Sequence, residues 1–430
     1  MNCYHLRTNP GLEPVLAAEI AGLTAAGLTT AASVPDAAAA GLTTAASVPD
    51  AAAAGRSVWA DTRTEEVPRG RRGWVAVTSP EPLPAVAFDE LRTVYEVLEV
   101  AATVPVPAAA TTDGDRYLAM IRDLAAEVSL PWPRPAESFA VRCLRVGNHP
   151  VNSPDVERTV GGVVAGASGA RVNLSAPDVT IRADLDDDLL TIGRLLGSPT
   201  RDRRFTWAYR PRITLSTVVA AACLRLSAAT DPQHPGAHPH DPALPAGAIL
   251  DPFCGSGTIA IEAAARRVRD PDVPWAPVYA ADIAPEAVAG TRANLAANAL
   301  ARAVVVRRAD ATALADTWVD RGIGAIVCNP PFGVRLGRRL NFDQFYRELL
   351  DGAAAVLPPG GRLVLLSSRR RGRLNHVIAD RPQWWLRGVH LIEIGGVFPG
   401  IFVLERRDVG AIVRTTPGAD IDPETGARAD

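Results

Sequence analysis

Two short runs in this 430-residue chain hold residue types that could do chemistry: Asp251-Pro-Phe-Cys-Gly-Ser-Gly-Thr258 and Asn329-Pro-Pro-Phe332. In the first, Gly255 and Gly257 permit a tight turn, and such a turn between a strand and a helix points backbone amides at a nucleotide-like ligand. In the second, the Asn329 side-chain oxygen and the Pro330 carbonyl form a pair of acceptors. Proline fixes φ and carries no N–H, so Pro330 and Pro331 hold that pair without competing donors. Phe332 adds a flat ring that can stack on a base. An exocyclic amine on a purine or cytosine is a poor nucleophile, because its lone pair is delocalised into the ring. Accepting both of its hydrogens favours a pyramidal nitrogen with the lone pair aimed at a methyl donor. Positioning and local electrostatics then carry the reaction. In this order the two runs predict an S-adenosyl-L-methionine (SAM) site facing a planar amino group.

The elements that must position these residues alternate strand and helix from 248 onward. Strands are expected at 248–250, 278–282, 304–310, 324–329 and 362–367, with helices at 258–267, 285–299 and 342–357 and a closing hairpin at 389–394 and 401–406. This alternation predicts a doubly wound, largely parallel sheet, which binds ligands outside the carboxyl ends of its strands. Asp282 and Asp310 fall at such ends, where Asp282 suits ribose hydroxyls and Asp310 an adenine amine. A nicotinamide cofactor is the competing reading of the glycine turn. Its fingerprint is G-x-G-x-x-G, and here Gly257 is followed by Thr-Ile-Ala.

Composition sets the outer limits. Hydrophobic residues make up 47% and charged residues 21%, with a net charge of −2, so any RNA-binding surface must be local. All 45 basic side chains are Arg. The five cysteines are scattered and form no CxxC, which argues for reduced thiols in a cytoplasmic protein and against a disulfide framework or zinc site. His234, His238 and His240 are separated by prolines, and no acid or Cys pair fixes a ligand geometry around them, so no metal is expected. No signal peptide and no membrane span is predicted.

Upstream, residues 27–40 recur identically at 41–54 and read as a duplicated Ala-rich insert. The spacing of apolar residues over 88–99 predicts a helix, and 101–114 reads as a linker. A helix is expected over 115–128, a half-buried strand at 139–145, a helix from Ser153, and strands at 171–174 and 179–184. The expected domains are 1–113, 114–197, a linker and helix at 198–247, a catalytic domain at 248–408 and a polar tail at 409–430.

Residues 248–264 and 329–333 resemble class I methyltransferases acting on amino groups. Phe139, Val141, Ser153, Asp155, Glu157, Arg158, Val172, Pro177-Asp178 and Ile181 resemble a THUMP domain. With Asn9-Pro-Gly-Leu-Glu13, the chain resembles the THUMP-containing RNA guanine-N2 methyltransferases, and Asn329 and Val334-Arg335 favour the tRNA acceptor-stem type. The resemblance implies an α/β chain: a Rossmann-like class I methyltransferase sheet, preceded by an α+β THUMP domain and a small ferredoxin-like N-terminal region. It implies that Asp251, Phe253, Gly255, Gly257 and Thr258 line the methionine and ribose side of SAM. Asp282 with Ile283 would hold the ribose, and Asp310 with Ala311 the adenine. Asn329, Pro330, Pro331 and Phe332 would hold the guanine amine. Where the family has Asn before Pro177, this chain has Ala176.

Local charge is consistent with RNA. Residues 329–373 hold nine Arg against three acids, including Arg335, Arg338, Arg339, Arg369, Arg370 and Arg371. A second run combines Arg203, Arg204, Arg210 and Arg212 with Phe205, Trp207 and Tyr209. The expected activity is therefore SAM-dependent guanine-N2 methylation of RNA, most plainly tRNA. A ribosomal-RNA enzyme of similar build is the alternative, and an inactive RNA-binding relative is the alternative of another class. DNA adenine and protein glutamine methyltransferases share Asn-Pro-Pro-aromatic but not a THUMP-like region.

Overall fold

The computed structural model describes residues 1–25, 58–59, 61–66, 71–107, 113–197, 204–228, 247–268, 276–331, 341–367 and 371–408. They form two units, Met1–Arg204 and one beginning at Phe205.

The first unit runs β1 (Asn2–Arg7), α1 (Glu13–Ala25), β2 (Arg63–Glu66), β3 (Trp74–Ser79), a 3-10 turn (Ala85–Glu90), and β4 (Glu96–Pro105). It continues with α2 (Gly114–Ala126), β5 (Ser138–Arg142), β6 (Arg145–Val146), α3 (Ser153–Ser168), β7 (Arg171–Val172), β8 (Val179–Asp186) and β9 (Leu189–Leu195). Its strands form one sheet in the order β2-β3-β1-β4-β9-β8-β5-β7, with β6 on β8. The β2-β3-β1-β4 half has the ferredoxin-like order, with the 3-10 turn in place of the second helix.

The helix expected over 88–99 is not formed. Phe88, Leu91, Val94, Val97 and Leu98 are all buried, as a helical stripe requires, but the chain passes from the 3-10 turn into β4. β4 lies between β1 and β9, so its backbone is paired along both edges; Val97 and Leu98, on opposite faces, are both buried, and the β-branched residues up to Val106 suit a strand. Residues 101–105, expected as linker, are strand for the same reason. The two upstream modules therefore share one sheet. Arg182 on β8 also bridges Glu96 of β4 at 3.0 Å and Asp184 at 2.9 Å, which ties the halves together through charge.

In the THUMP-like half, α3 is capped by Asn152 Oδ1, which accepts from Asp155 N at 2.9 Å. Asp178 Oδ2 accepts from Ser138 N and Oγ, both at 2.7 Å. The hydrogen bonds that Ala176 cannot make come from Asn173. Its Oδ1 accepts from Ser175 N and Ala176 N, and its Nδ2 donates to Ala176 O at 2.7 Å. Asn9-Pro-Gly-Leu-Glu13 is a structural turn: buried Glu13 accepts from Gly11 N at 2.6 Å and Gly73 N at 2.5 Å.

The second unit holds α4 (Thr217–Ser227), β10 (Ala248–Asp251), α5 (Thr258–Val268), β11 (Val278–Asp282), α6 (Pro285–Ala297), β12 (Val304–Arg308) and α7 (Leu314–Trp318). After these come β13 (Ile323–Cys328), α8 (Phe342–Val356), β14 (Arg362–Ser367), α9 (Arg371–Ala379), β15 (Trp384–Leu391) and β16 (Gly400–Arg406). The sheet order is β12-β11-β10-β13-β14-β16-β15, with only β16 antiparallel to its neighbours. Both faces of the parallel part are covered, and its strands are continuous apolar runs such as Ile323-Gly-Ala-Ile-Val-Cys328. The helix α4, expected within a linker, packs on α5 and β14 of this unit because Val218, Val219, Ala222, Cys223 and Leu224 give it a buried face. No helix among the described residues is long and apolar enough to cross a membrane. The duplication at 27–54 and the His-bearing stretch 229–246 lie outside the described residues.

Candidate active site

Sheet connectivity reverses between β10 and β13, and this is where a doubly wound sheet opens a crevice at its carboxyl rim. The glycine turn leaves β10 there and Asn329-Pro-Pro leaves β13. Leu250 pairs with Ile326, so Asn329 projects beyond Asp251 on the neighbouring strand.

The turn is built from its own amides. Phe253 N donates to Asp251 Oδ1 at 3.1 Å, Cys254 N to Ala281 O at 2.8 Å, Gly255 N to Asp282 Oδ2 at 3.0 Å and Gly257 N to Cys254 O at 2.6 Å. This corrects the expectation that the Gly255 and Gly257 amides face a ligand, since both are consumed in closing the turn. The two glycines serve differently. Gly255 (φ +53) faces open space, with only Phe253 O as near as 4.0 Å to a built Cβ. That is a cradle a side chain would fill. Gly257 (φ +85) would set a Cβ 2.8 Å from Thr291 Cγ2, so it admits α6.

The predicted cofactor residues gather at this rim. Asp282 ends β11 and accepts from Gly255 N and, through Oδ1, from Ala284 N at 3.0 Å. Ile283 is 59% exposed beside it, a bare apolar surface next to an acid. Past β12, Asp310 Oδ1 accepts from Thr312 N at 2.9 Å and Thr312 Oγ1 at 2.8 Å, and Ala311 is buried behind it. Phe253 is half-buried against Phe345 at 5.8 Å between ring centroids. Thr258 is buried with its hydroxyl 3.2 Å from Ser256 Oγ. An acid, an apolar ledge, a second acid and an open glycine cradle along one rim fit a nucleoside carrying a short charged tail, as SAM does.

Asp251 is buried among Cys223, Cys254 and Cys328. Burial pushes its carboxyl up to about 8; the Phe253 N–H opposes this and the Asp282 charge adds to it. An ordinary Asp ionises near 3.8. Between those values the folded chain keeps a proton that the unfolded chain has lost, so stability falls as pH rises through this window. Asp251→Asn is expected to remove that slope, worth up to about 1.4 kcal/mol per pH unit. Denaturation of SAM-free protein at pH 5.5 and 8 checks this: the wild type should lose more stability than the variant, and equal losses would refute the assignment.

Asn329 carries the most informative atom. Its Oδ1 is buried and has no hydrogen-bond partner among the described residues. Leaving a buried acceptor unmade costs about 1–3 kcal/mol, so this oxygen has capacity to take an incoming donor. Pro330 is buried and Pro331 half-buried behind it. Phe332 lies outside the described residues, as do Arg203, Arg335, Arg338, Arg339, Arg369 and Arg370, and only the backbone of Arg371 is described. Arg204 Nη2 donates to Arg92 O at 2.7 Å, so part of its guanidinium is engaged within the chain. Arg362, counted in the basic run, is at the amino end of β14 and serves packing: it pairs with Glu405 at 3.5 Å and caps the Ala228 carbonyl.

Two residues escaped the sequence reading. Thr291 Oγ1 donates to Gly255 O at 3.1 Å, and buried Asn294 Nδ2 donates to Ser256 O at 2.8 Å, so α6 grips the glycine turn from behind. Their signal was two polar residues three apart on a helix face shared with Ala287, Val288 and Leu295.

Strand order and rim together define a class I methyltransferase of the amino-group type. Residues 243–397 match the RMKL-like methyltransferase domain and residues 117–194 the THUMP domain. A tRNA (guanine(6)-N2)-methyltransferase of Thermus thermophilus is 38% identical over 283 residues, 65% of this chain and 77% of that protein. A tRNA (guanine(10)-N2)-dimethyltransferase of Methanothermobacter thermautotrophicus is 33% identical, covering 53% of this chain and 62% of its own length. The crystal structure of TrmN from Thermus thermophilus superposes with a TM-score of 0.66 at 29% identity, over 94% of this chain and all of that one. The chain belongs to the THUMP-containing, SAM-dependent RNA guanine-N2 methyltransferase family.

Proposed function

We propose that this enzyme methylates the exocyclic N2 of a guanine in tRNA, giving N2-methylguanosine, and that the target is in the acceptor stem at position 6. The observation that carries the reading is the buried Asn329 Oδ1, unpartnered among the described residues, at the switch point of the sheet. The 38% identical relative carries guanine(6)-N2 in its name, and the THUMP match supports an RNA substrate. The five free thiols suit a reducing cytoplasm.

SAM, when bound, supplies a methyl group on a positively charged sulfonium. Asp282 and Ile283 receive its ribose edge, Asp310 and Ala311 its adenine, and Asp251, Phe253, Gly255, Gly257 and Thr258 bound the rest. Asn329 Oδ1 and the Pro330 carbonyl accept hydrogen bonds from the two N2–H groups, which concentrates the lone pair on nitrogen and aims it out of the ring plane; as the N–C bond forms the S–C bond of the donor breaks, and N2 then gives up one proton to solvent. Pro331 stiffens the turn and Phe332 stacks on the base. A paired guanine buries N2 in the minor groove, so the base is turned out of its stack or met where pairing is weak. Arg203, Arg204, Arg335, Arg338, Arg339, Arg369, Arg370 and Arg371 are assigned to the phosphate backbone.

Incubation with labelled SAM and unmodified tRNA or rRNA, followed by digestion, tests the reading. Label in N2-methylguanosine at tRNA position 6 is the expected result. Label at position 10 would move the site to that of the 33% identical relative. Label in rRNA alone would replace the substrate, and no label with SAM still bound would leave an RNA-binding protein without this activity.

A further inference from the structure

We infer that the segment 205–212, through which the chain enters the second unit, is a working part of the SAM site, with Asn294 as the positioning residue that joins the two. The inference rests on the SAM reading of the glycine turn.

Asn294 on α6 has no exposed surface. Its Oδ1 accepts from Tyr209 N at 2.7 Å, and its Nδ2 donates to Tyr209 O at 2.7 Å and to Ser256 O at 2.8 Å. A primary amide has two N–H groups, so one side chain holds both backbone groups of Tyr209 and one carbonyl of the glycine turn. Four residues on, Asn298 repeats the first half of this pattern. Its Oδ1 accepts from Thr206 N at 2.9 Å and its Nδ2 donates to Thr206 O at 2.8 Å. Each amide imitates a peptide group and straps the segment along the helix. The Tyr209 ring fits only because residue 290 is glycine: a Cβ there would lie 2.1 Å from Tyr209 Cδ1.

The strap and the glycine turn therefore meet at one side chain, that of Asn294. If the strap leaves, Asn294 keeps a buried oxygen and one buried N–H without partners, each costing about 1–3 kcal/mol. The side chain would turn to recover them and release Ser256 O. The turn then loses one of the two α6 side chains that grip it, although no strap residue need touch SAM.

Titration calorimetry of the full-length chain with SAM tests this. Gly290→Ala forces the Tyr209 ring off the helix and is expected to raise the SAM Kd about tenfold, the loss of one such hydrogen bond. Adding Tyr209→Ala removes the clashing ring while sparing the backbone clamp, and should restore Kd to within about threefold of wild type, a rescue that mere destabilisation would not produce. A folded Gly290→Ala protein with unchanged Kd overturns the inference. So does a double variant as weak as the single one, which would place the effect in α6 itself. If Gly290→Ala does not fold, Asn298→Ala, which frees Thr206, takes its place: a raised SAM Kd is expected, and a folded variant with unchanged Kd overturns the inference. A wild-type chain that binds no SAM would instead refute the cofactor reading.

Discussion

Asn329→Ala is expected to lower turnover by about 10²–10³-fold while leaving the SAM Kd within about threefold of wild type. The variant removes a buried acceptor that makes no hydrogen bond among the described residues, so the resting fold loses little, and unfolding should shift little. What it loses exists only when an amine donor arrives. Single-turnover kinetics with tRNA beside SAM calorimetry separates the two quantities. A collapse of SAM binding would show that the residue serves the cofactor instead. Unchanged turnover would move the amine-holding role away from β13.

Asp282→Ala should have the opposite signature, with the SAM Kd rising by about 100-fold or more. Two contributions add. The carboxylate is the proposed ribose acceptor, and it also holds Gly255 N at 3.0 Å and Ala284 N at 3.0 Å, hydrogen bonds to a charged acceptor worth about 1.5–3 kcal/mol each. Removing it loosens the glycine turn and the entry to α6 at once. Calorimetry reads the effect directly, and a Kd within threefold of wild type would remove Asp282 from the cofactor site.

How these residues came to be legible differs from case to case. The parallel strands could be read because each is a short apolar run ending in a turn residue or an acid, a pattern fixed by burial on both faces. Phe88–Glu99 misled because apolar residues spaced for a helix can equally cover a turn and both faces of a central strand. Only the partners β1 and β9, remote in sequence, decide between them. At the site, Asp282 was recognisable by its place after β11, but its grip on Gly255 N was not. The sequence suggests amides free for a ligand, whereas folding gives the Gly255 amide to Asp282 and the Gly257 amide to the Cys254 carbonyl. Asn294 and Thr291 stayed hidden because a polar residue on a helix declares its role only when the packed face is known.

The nine-stranded sheet of the first unit has a bearing on how this protein can be dissected. A fragment beginning at 114 would keep α2 through β9 but lose β4, whose pairs run from Leu98↔Leu195 to Pro105↔Leu189. It would bare the backbone donors and acceptors of β9 along an open edge, beside Leu190 and Ile192, which are buried in the intact sheet. Such an edge recruits other strands and aggregates. The THUMP half is thus not a portable cassette, and a well-behaved piece that contains it must also carry β4 and the strand β1 paired to its other edge.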